Sequence, residues 1–179
     1  MRDSDKRSSL RSALSASLFC ALIIIGSYIR IPFIPPFTLQ LLFVNTAALT
    51  LGKKWGSISV ILYVLCGLAG LPVFSSGGGA ASVFSLSFGF VLGFIPGAFF
   101  AGMISEGTTD TKMLALASFV DLACVYTCGS AYFIFLKSAY FAEDASVAYA
   151  LSACVLPFVI PDIFKIAASI ILAKKLKRT

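Results

Sequence analysis

The chain has 179 residues, of which 59% are hydrophobic and 12% are charged, and its formal net charge is +6. A soluble domain is about 45–50% apolar and about 25% charged, so this chain has too little polar surface to face water. The composition excludes a soluble globule, a disordered chain and a nucleic-acid-binding module. It predicts an all-α, polytopic integral membrane protein that forms one transmembrane domain over residues 1–179.

Six apolar segments follow one another along the chain, and a spanning helix needs about 20 mostly apolar residues. The first segment follows a basic N-terminus, but it is too long for the apolar region of a signal peptide and is interpreted as a retained helix. The second is short for a span and ends at Gly52-Lys53-Lys54. The predicted transmembrane helices cover about residues 10–29, 38–51, 55–71, 83–104, 113–136 and 147–173.

The basic residues sort to one side of these six spans. An even number of spans puts both termini on the same side, which then holds eleven of the 14 Lys and Arg residues. Arg30 and Lys137 fall on the opposite side, and Lys165 lies within the last span. By the positive-inside rule we expect both termini in the cytoplasm. The net charge therefore reports orientation in the bilayer, and it needs no nucleic acid partner.

Motifs for catalysis or nucleotide binding are absent from the sequence. It has no histidine, no phosphate-binding P-loop and no G-x-S-x-G elbow, and its five cysteines form no C-x-x-C pair. An odd number of cysteines argues against a full disulfide framework. We therefore expect no metal, no cofactor and no enzymatic activity, and any uphill transport needs an energy source on another subunit.

Asp162 and Lys165 are an ionisable pair within the last predicted span. Their i, i+3 spacing places both on one face of a helix, directly after Pro157 and Pro161. Ionisable residues inside a bilayer are costly and by default point to function. Two interpretations stay open: a structural ion pair that holds the bundle, or the polar part of a ligand pocket.

Other residues in the spans suggest packing. Asn45 is expected to hydrogen-bond to a neighbouring helix, and Asp121 is expected either inside the bilayer or merely at its interface. Small residues recur every four positions in two stripes, which let helices approach closely. The stripe in the fourth span predicts packing within the chain, and the stripe in the first span predicts either such packing or docking of another subunit. The stripes are Gly89, Gly93, Gly97, Ala101 and Ser105, and Ala13, Ser17 and Ala21.

Two connections are expected outside the membrane on the side opposite the termini. One is Arg30–Pro36, and the other is the Gly/Ser-rich segment Leu71–Ser82. Consecutive glycines let backbone N–H groups approach a ligand closely. Both connections would flank the external mouth of the bundle, where a solute would enter.

Several of these segments together resemble one family. Pro36-Phe37-Thr38-Leu39-Gln40 resembles the P-x-T-L-Q entry to the second helix of the BioY biotin-uptake proteins, and Gly67–Phe74 resembles the end of their third helix. Gly78-Gly79-Ala80-Ala81-Ser82 is similar to their Gly-rich loop, and Pro161-Asp162-Ile163-Phe164-Lys165 to their last-helix P-G-D-x-x-K motif. The matches run in order from about residue 10 to the C-terminus. BioY proteins are the substrate-binding S components of energy-coupling-factor (ECF) transporters.

The resemblance implies an ECF S-component-like bundle in the cell membrane that binds biotin from outside, in a pocket near the external face. Asp162 would accept from a ureido N–H of biotin, and Lys165 would donate to the ureido carbonyl or pair with the ligand carboxylate. The partners implied are a transmembrane coupling subunit and two ATP-binding subunits, docked on Ala13, Ser17 and Ala21. Further expected ligand-binding residues are Gln40, Gly78, Gly79, Ser82, Ser87, Phe90 and Tyr126.

Two departures from the family pattern fall in the expected pocket wall. Pro161 stands where the family usually has Gly, and Ser85–Phe90 stands where the family has G-P-[ST]-G-G-Y. These changes keep two alternatives open. One is an S component for another vitamin-like carboxylic acid or heterocycle, such as lipoate or a thiamine-like compound. The other is a membrane scaffold or small channel in which the Asp162–Lys165 pair is only structural.

Overall fold

The computed structural model of the chain describes residues 2–31, 36–140 and 146–178. Within these ranges it has six α-helices and one two-stranded antiparallel ribbon in which Arg30 pairs with Thr38. All of the helices except the fifth are long and apolar enough to cross a membrane, which confirms an all-α, multi-pass membrane protein. The elements are α1 Arg2–Tyr28, β1 Arg30–Ile31, β2 Phe37–Thr38, α2 Gln40–Leu68, α3 Phe88–Ser105, α4 Thr111–Ala139, α5 Val147–Cys154 and α6 Leu156–Arg178.

Helix α2 reverses direction at Gly52, whose φ of 73° and ψ of −177° are not helical. Gln40 and Tyr63 would lie about 35 Å apart along a straight helix, yet their side chains are hydrogen-bonded. A Cβ added to Gly56 would come within 2.9 Å of the Ala48 Cα. Residues 40–51 and 53–68 are therefore two antiparallel arms, and they match the second and third predicted spans.

Two other predicted spans differ from the observed helices. The last predicted span, 147–173, is divided into α5 and α6 by a turn at Val155, whose φ is −118° and whose ψ is −59°. The fourth predicted span begins at residue 83, but α3 begins at Phe88 because Ala80–Phe84 form a short 3-10 helix. Hydropathy alone does not reveal either break, because Val83 and Phe84 of the 3-10 helix are apolar and apolar residues stand on both sides of Val155.

Close helix packing uses the small residues of α3. A Cβ added to Gly93 would come within 2.8 Å of the Val125 Cα on α4, so these two backbones are nearly in contact. This confirms the prediction that the stripe in the fourth span packs within the chain. Asn45 Nδ2 donates to Ser169 Oγ on α6 over 3.0 Å, which confirms the predicted interhelical hydrogen bond. Helix α6 thereby packs on the first arm of α2.

The bundle has two chemically different ends. Lys53, Lys174 and Lys177 lie at the end that holds Gly52 and the C-terminus of α3, which we call the basic end. There the Lys53 Nζ lies 3.4 Å from Glu106 Oε2, and Lys174 Nζ donates to the Thr111 hydroxyl over 2.7 Å. The opposite end, called the loop end, holds the β-ribbon and the connection from α2 to α3. The predicted orientation places the basic end in the cytoplasm.

Candidate functional site

A cavity opens at the loop end, between the beginnings of α2, α3 and α6 and the middle of α4. Its volume, which includes the open space at its mouth, is about 550 Å³. Most of the wall is apolar, as is usual for such pockets. The apolar lining includes Leu41, Phe90, Val91, Phe94, Val125 and Phe158.

Asp162 and Lys165 form a buried ion pair in this wall. Lys165 Nζ lies 2.7 Å from Asp162 Oδ1, and the two side chains are only 8% and 6% exposed. Tyr126, on α4, donates its hydroxyl hydrogen to Asp162 Oδ2 over 2.6 Å. A buried charge is tolerated only when it is paired and hydrogen-bonded, and here each oxygen of the carboxylate has a donor. The predicted common face of the two residues is confirmed.

An aromatic pair lies against the ammonium group. The Lys165 Nζ is 3.9 Å from the centroid of the Phe37 ring, a position in which the negative face of the ring attracts the cation. Phe37 and Phe158 are stacked, with ring centroids 6.4 Å apart and planes inclined by 16°. The β-ribbon therefore does more than connect α1 to α2, because it brings an aromatic ring onto the charged pair.

A chain of hydrogen bonds orients Gln40 at the start of α2. Thr38 Oγ1 donates to Gln40 Oε1 over 3.1 Å, and Gln40 Nε2 donates to the hydroxyl of Tyr63. The amide is almost fully buried, and these two partners distinguish its oxygen from its nitrogen. Since an amide nitrogen has two hydrogens, one N–H is left for a ligand in the cavity.

The cavity brings together six of the nine residues that the sequence predicts to bind ligand: Gln40, Ser87, Phe90, Tyr126, Asp162 and Lys165. Gly78, Gly79 and Ser82 do not line it. Their loop packs instead on the end of α2, where Gly79 donates its N–H to the Gly67 carbonyl over 2.8 Å. A Cβ on Gly78 would meet the Leu71 oxygen at 2.0 Å, so this glycine is required for packing. Ser75 is the member of the loop that lines the cavity.

Several lining residues are absent from the predicted set. Phe94 follows Phe90 by four residues and therefore shares its helical face, so periodicity could have found it. Phe158 precedes Asp162 by the same interval, on the same face of α6. Thr38, which lines the cavity, and Phe37, which does not line it but contacts Lys165, stand inside the motif that ends at Gln40. Their contacts with Gln40 and Lys165 depend on the ribbon, which the sequence pattern does not reveal.

Asp121 is a second buried carboxylate, but it lies outside the cavity wall. It is 0% exposed, so it lies inside the helix bundle, and its depth in the bilayer stays a prediction. Neither of its carboxylate oxygens has a hydrogen-bond partner among the described residues. A Cβ on Gly97 would come within 2.2 Å of Asp121 Oδ1, which shows how tightly α3 packs over this side chain.

The small-residue stripe of α1 lies at the edge of the bundle. Ala13 is half-buried, and Ser17 and Ala21 are exposed. The Ser17 hydroxyl donates to the Ala13 carbonyl over 3.1 Å, so its hydrogen is used within the helix. The buried face of α1 is formed by other residues, Ala16 and Ile23 among them. Among the described residues, nothing covers Ser17 and Ala21, and Ala13 is covered in part.

The cavity is suited to a partly apolar ligand that both donates and accepts hydrogen bonds. Each carboxylate oxygen of Asp162 has used one of two acceptor positions, and the Lys165 ammonium has three hydrogens. Hydrogen bonds that involve a charged group are about twice as strong as neutral ones. The pair can therefore accept from one ligand group and donate to another while the aromatic rings enclose the apolar part.

Comparisons with known proteins agree on one family. The model of the BioY family matches residues 1–179. A biotin transporter BioY of Thermotoga maritima is 36% identical over 171 residues, which cover 94% of this chain and 97% of that protein. One of Rhodobacter capsulatus is 31% identical over 92% of each chain. The crystal structure of an S-component for biotin from an ECF-type ABC transporter has the same fold, with a TM-score of 0.81, 24% identity and coverage of 97% of this chain and 94% of that chain.

Proposed function

Because the chain belongs to the BioY family, we propose that it is the substrate-binding S component of an ECF-type transporter and that its substrate is biotin. BioY proteins are transporters and not enzymes, in keeping with a chain that carries no catalytic motif. The observation that carries the proposal is the Asp162–Lys165 pair, joined by Tyr126, in the wall of an otherwise apolar cavity.

Biotin matches the chemistry of this wall group by group. Its ureido ring has two N–H donors and one carbonyl acceptor, its thioether ring is apolar, and its tail ends in a carboxylate. In the proposed complex Asp162 accepts from a ureido N–H, and Phe90, Phe94 and Phe158 enclose the rings. Gln40 and Ser87 supply further polar contacts at the mouth. Gly78, Gly79 and Ser82 act indirectly, by holding the loop that carries Ser75.

Lys165 has two candidate roles, and a ligand series distinguishes them. In one, its ammonium donates to the ureido carbonyl; in the other, it pairs with the carboxylate of the tail. Biotinamide keeps the ureido ring and lacks the charge of the tail. If Lys165 holds the ring, biotinamide should bind nearly as well as biotin, and Lys165→Met should weaken both. If Lys165 holds the tail, the variant should weaken biotin alone.

Uptake against a gradient requires partners. We propose a transmembrane coupling subunit and two ATP-binding subunits, with the coupling subunit docked on Ala13, Ser17 and Ala21. The protein would lie in the cell membrane with both termini in the cytoplasm and the cavity facing outside. The accessibility of the α1 stripe and the separation of the basic end from the loop end support this arrangement.

The test is binding of labelled biotin to the purified protein, with lipoate and thiamine as competitors. We expect tight biotin binding that the competitors do not displace. Asp162→Asn should weaken it by at least tenfold, because a hydrogen bond to a charged group contributes about 1.5–3 kcal/mol. Asp121→Asn is the matched control: it changes the same residue type in an equally buried position outside the cavity, and biotin affinity should not change.

Two results would contradict the proposal. Displacement by lipoate or thiamine, with weak biotin binding, would keep the cavity and assign it another ligand. Equal biotin affinity in the wild type and Asp162→Asn would show that the carboxylate does not contact the ligand.

A further inference from the structure

A second hollow lies at the loop end, beside the cavity, and we call it the Arg30 hollow. It is formed by the end of α1, the first residue of β1 and the connection that follows α2. Its volume, which includes the open space at its surface, is about 530 Å³. Its lining includes Tyr28, Arg30, Ser75 and Ser76. The hollow therefore has a basic residue and several hydroxyl groups in its wall.

The Arg30 hollow and the cavity adjoin each other at two places. Ser75 lines both of them. Arg30 is paired with Thr38 in the β-ribbon, and directly opposite residues of antiparallel strands have side chains on the same face, with Cβ atoms about 4.5–5.5 Å apart. Because Thr38 lines the cavity, Arg30 stands beside its mouth. A molecule that extends from the cavity past Ser75 thus enters the Arg30 hollow.

The wall between the two spaces is held in place by hydrogen bonds. The Ser27 hydroxyl, near the end of α1, donates to the Val73 carbonyl over 2.6 Å. Phe74 donates its N–H to the Gly77 carbonyl over 2.8 Å, and Gly77 donates its N–H to the Phe74 carbonyl over 3.0 Å. This exchange closes a tight turn that contains Ser75. The position of Ser75 between the hollow and the cavity is therefore fixed by the backbone and by α1.

The chemistry of the Arg30 hollow is suited to an anion. Among the described residues of its lining, Arg30 is the only charged one. Arg30 is exposed, and no carboxylate of the described residues forms an ion pair with it. A guanidinium presents its N–H donors in a planar fork that matches a carboxylate, and the Ser75 hydroxyl can donate one more hydrogen bond. A carboxylate is therefore the group that this hollow fits best.

We propose that the Arg30 hollow binds the carboxylate at the end of the substrate's tail while the cavity holds the rings. This inference rests on the proposed function and deepens it, since biotin carries its charge at the end of a flexible aliphatic tail. With the rings enclosed beside Asp162, the tail leaves through the mouth at Ser75. Lys165 then donates to the ureido carbonyl, and Arg30 pairs with the carboxylate. Arg30 is thus a specificity-determining residue for ligands with an acidic tail.

The exposure of Arg30 determines how large its effect can be. An ion pair at an exposed position changes an equilibrium constant by at most about fivefold, and salt weakens it. A charge at the rim of a binding site acts mainly on the rate of association. Arg30 should therefore favour acidic ligands over neutral ones, whereas most of the affinity comes from the buried contacts in the cavity.

The test compares biotin with biotinamide, which has the same rings and an uncharged tail. Affinities of both ligands are measured on the purified wild type, Arg30→Gln and Arg30→Lys. We expect Arg30→Gln to weaken biotin about fivefold and to leave biotinamide unchanged. Arg30→Lys should retain part of the preference for biotin, because it keeps the charge and loses the planar fork. The biotin affinity of the wild type should also fall more steeply with salt than that of Arg30→Gln.

Lys137→Gln is the matched control, because it removes a positive charge from the same end of the bundle. Lys137 lines neither the hollow nor the cavity, and its Nζ lies 5.2 Å from the centroid of the Tyr149 ring. Lys137→Gln should leave the affinities of both ligands unchanged. Lys165→Met should weaken both ligands, because Lys165 is assigned to the rings. Thermal unfolding of each variant verifies that it is folded.

Four results would overturn the inference. Unchanged affinities in Arg30→Gln would show that Arg30 does not contact the ligand, and an equal loss for biotin and biotinamide would show that it acts on the shape of the site. An equal loss in Lys137→Gln and Arg30→Gln would indicate a general effect of charge. If Lys165→Met weakened biotin alone, the carboxylate would lie at Lys165.

Failure of the proposed function has a different signature. It would appear as weak biotin binding by the wild type, which would contradict the proposed function and this inference together. The four results above are obtained on a protein that binds biotin tightly, so they overturn the role of Arg30 and leave the assignment of biotin intact.

Discussion

Removing the charge of Lys165 alone should destabilise the protein, and removing both charges of the pair should restore much of the loss. In Lys165→Met the Asp162 carboxylate stays buried, with only the Tyr126 hydroxyl as a donor. At the observed 2.7 Å separation the two charges attract by about 6 kcal/mol at an effective dielectric constant of about 20. Breaking one side of a buried pair costs about 3–5 kcal/mol, mostly because the remaining charge has no partner.

The double variant Asp162→Asn/Lys165→Met removes that penalty, since an amide and a thioether carry no charge. We expect its unfolding temperature to lie much closer to that of the wild type than that of Lys165→Met does. Biotin binding should be lost in both variants. The measurements are thermal unfolding in detergent and binding of labelled biotin to the same preparations.

The two readouts together test the reasoning about the pair. If the double variant is as unstable as Lys165→Met, the loss does not come from an unpaired charge. If the double variant is stable and still binds biotin, the pair is only structural and the ligand lies elsewhere.

Three further predictions concern contacts around and outside the cavity. Tyr126→Phe removes the 2.6 Å hydrogen bond to Asp162 and should weaken biotin binding about tenfold; Tyr132→Phe, whose hydroxyl binds the Val83 carbonyl outside the cavity, should leave it unchanged. Gly56→Ala places a methyl group 2.9 Å from the Ala48 Cα, which should lower the free energy of unfolding by about 1–3 kcal/mol. Urea unfolding measures this loss, and an unchanged midpoint would contradict the antiparallel arrangement of the two arms of α2. Ala21→Trp should abolish copurification with the coupling subunit. Leu18→Trp is the control, because Leu18 is exposed on another face of α1, and it should leave copurification unchanged. If both variants copurify with the coupling subunit equally well, the stripe is not the docking site.

The sequence predicts the order of the helices because most apolar segments end at residues that are recognisable from the local sequence. Gly52 is followed by two lysines that end the apolar run, and the positive φ that glycine tolerates is found there. The break at Val155 is not visible in the hydropathy pattern, because apolar residues continue through it; its local signal is Pro157, two residues later.

The site was predictable where it depends on one helix and unpredictable where it depends on several. Asp162 and Lys165 are three residues apart, so helical geometry alone places them together. Tyr126 reaches Asp162 from another helix, and only the family resemblance pointed to it. The Phe37 ring meets Lys165 through the β-ribbon, for which the sequence gives no periodic signal. Glycines such as Gly78 are ambiguous, because close approach to a ligand and close approach to the backbone require the same residue.

Asp121 and Asp162 show that burial of a carboxylate does not by itself identify a binding site. Both are buried aspartates on membrane helices, and both are equally expensive to charge in an apolar surrounding. Asp162 differs because a cation and a hydroxyl hold it oriented in the wall of a cavity. Asp121 has neither a donor among the described residues nor a place in that wall. We therefore propose that ligand binding depends on the partners that fix the carboxylate and on the open space in front of it, and the Asp121→Asn control tests that distinction directly.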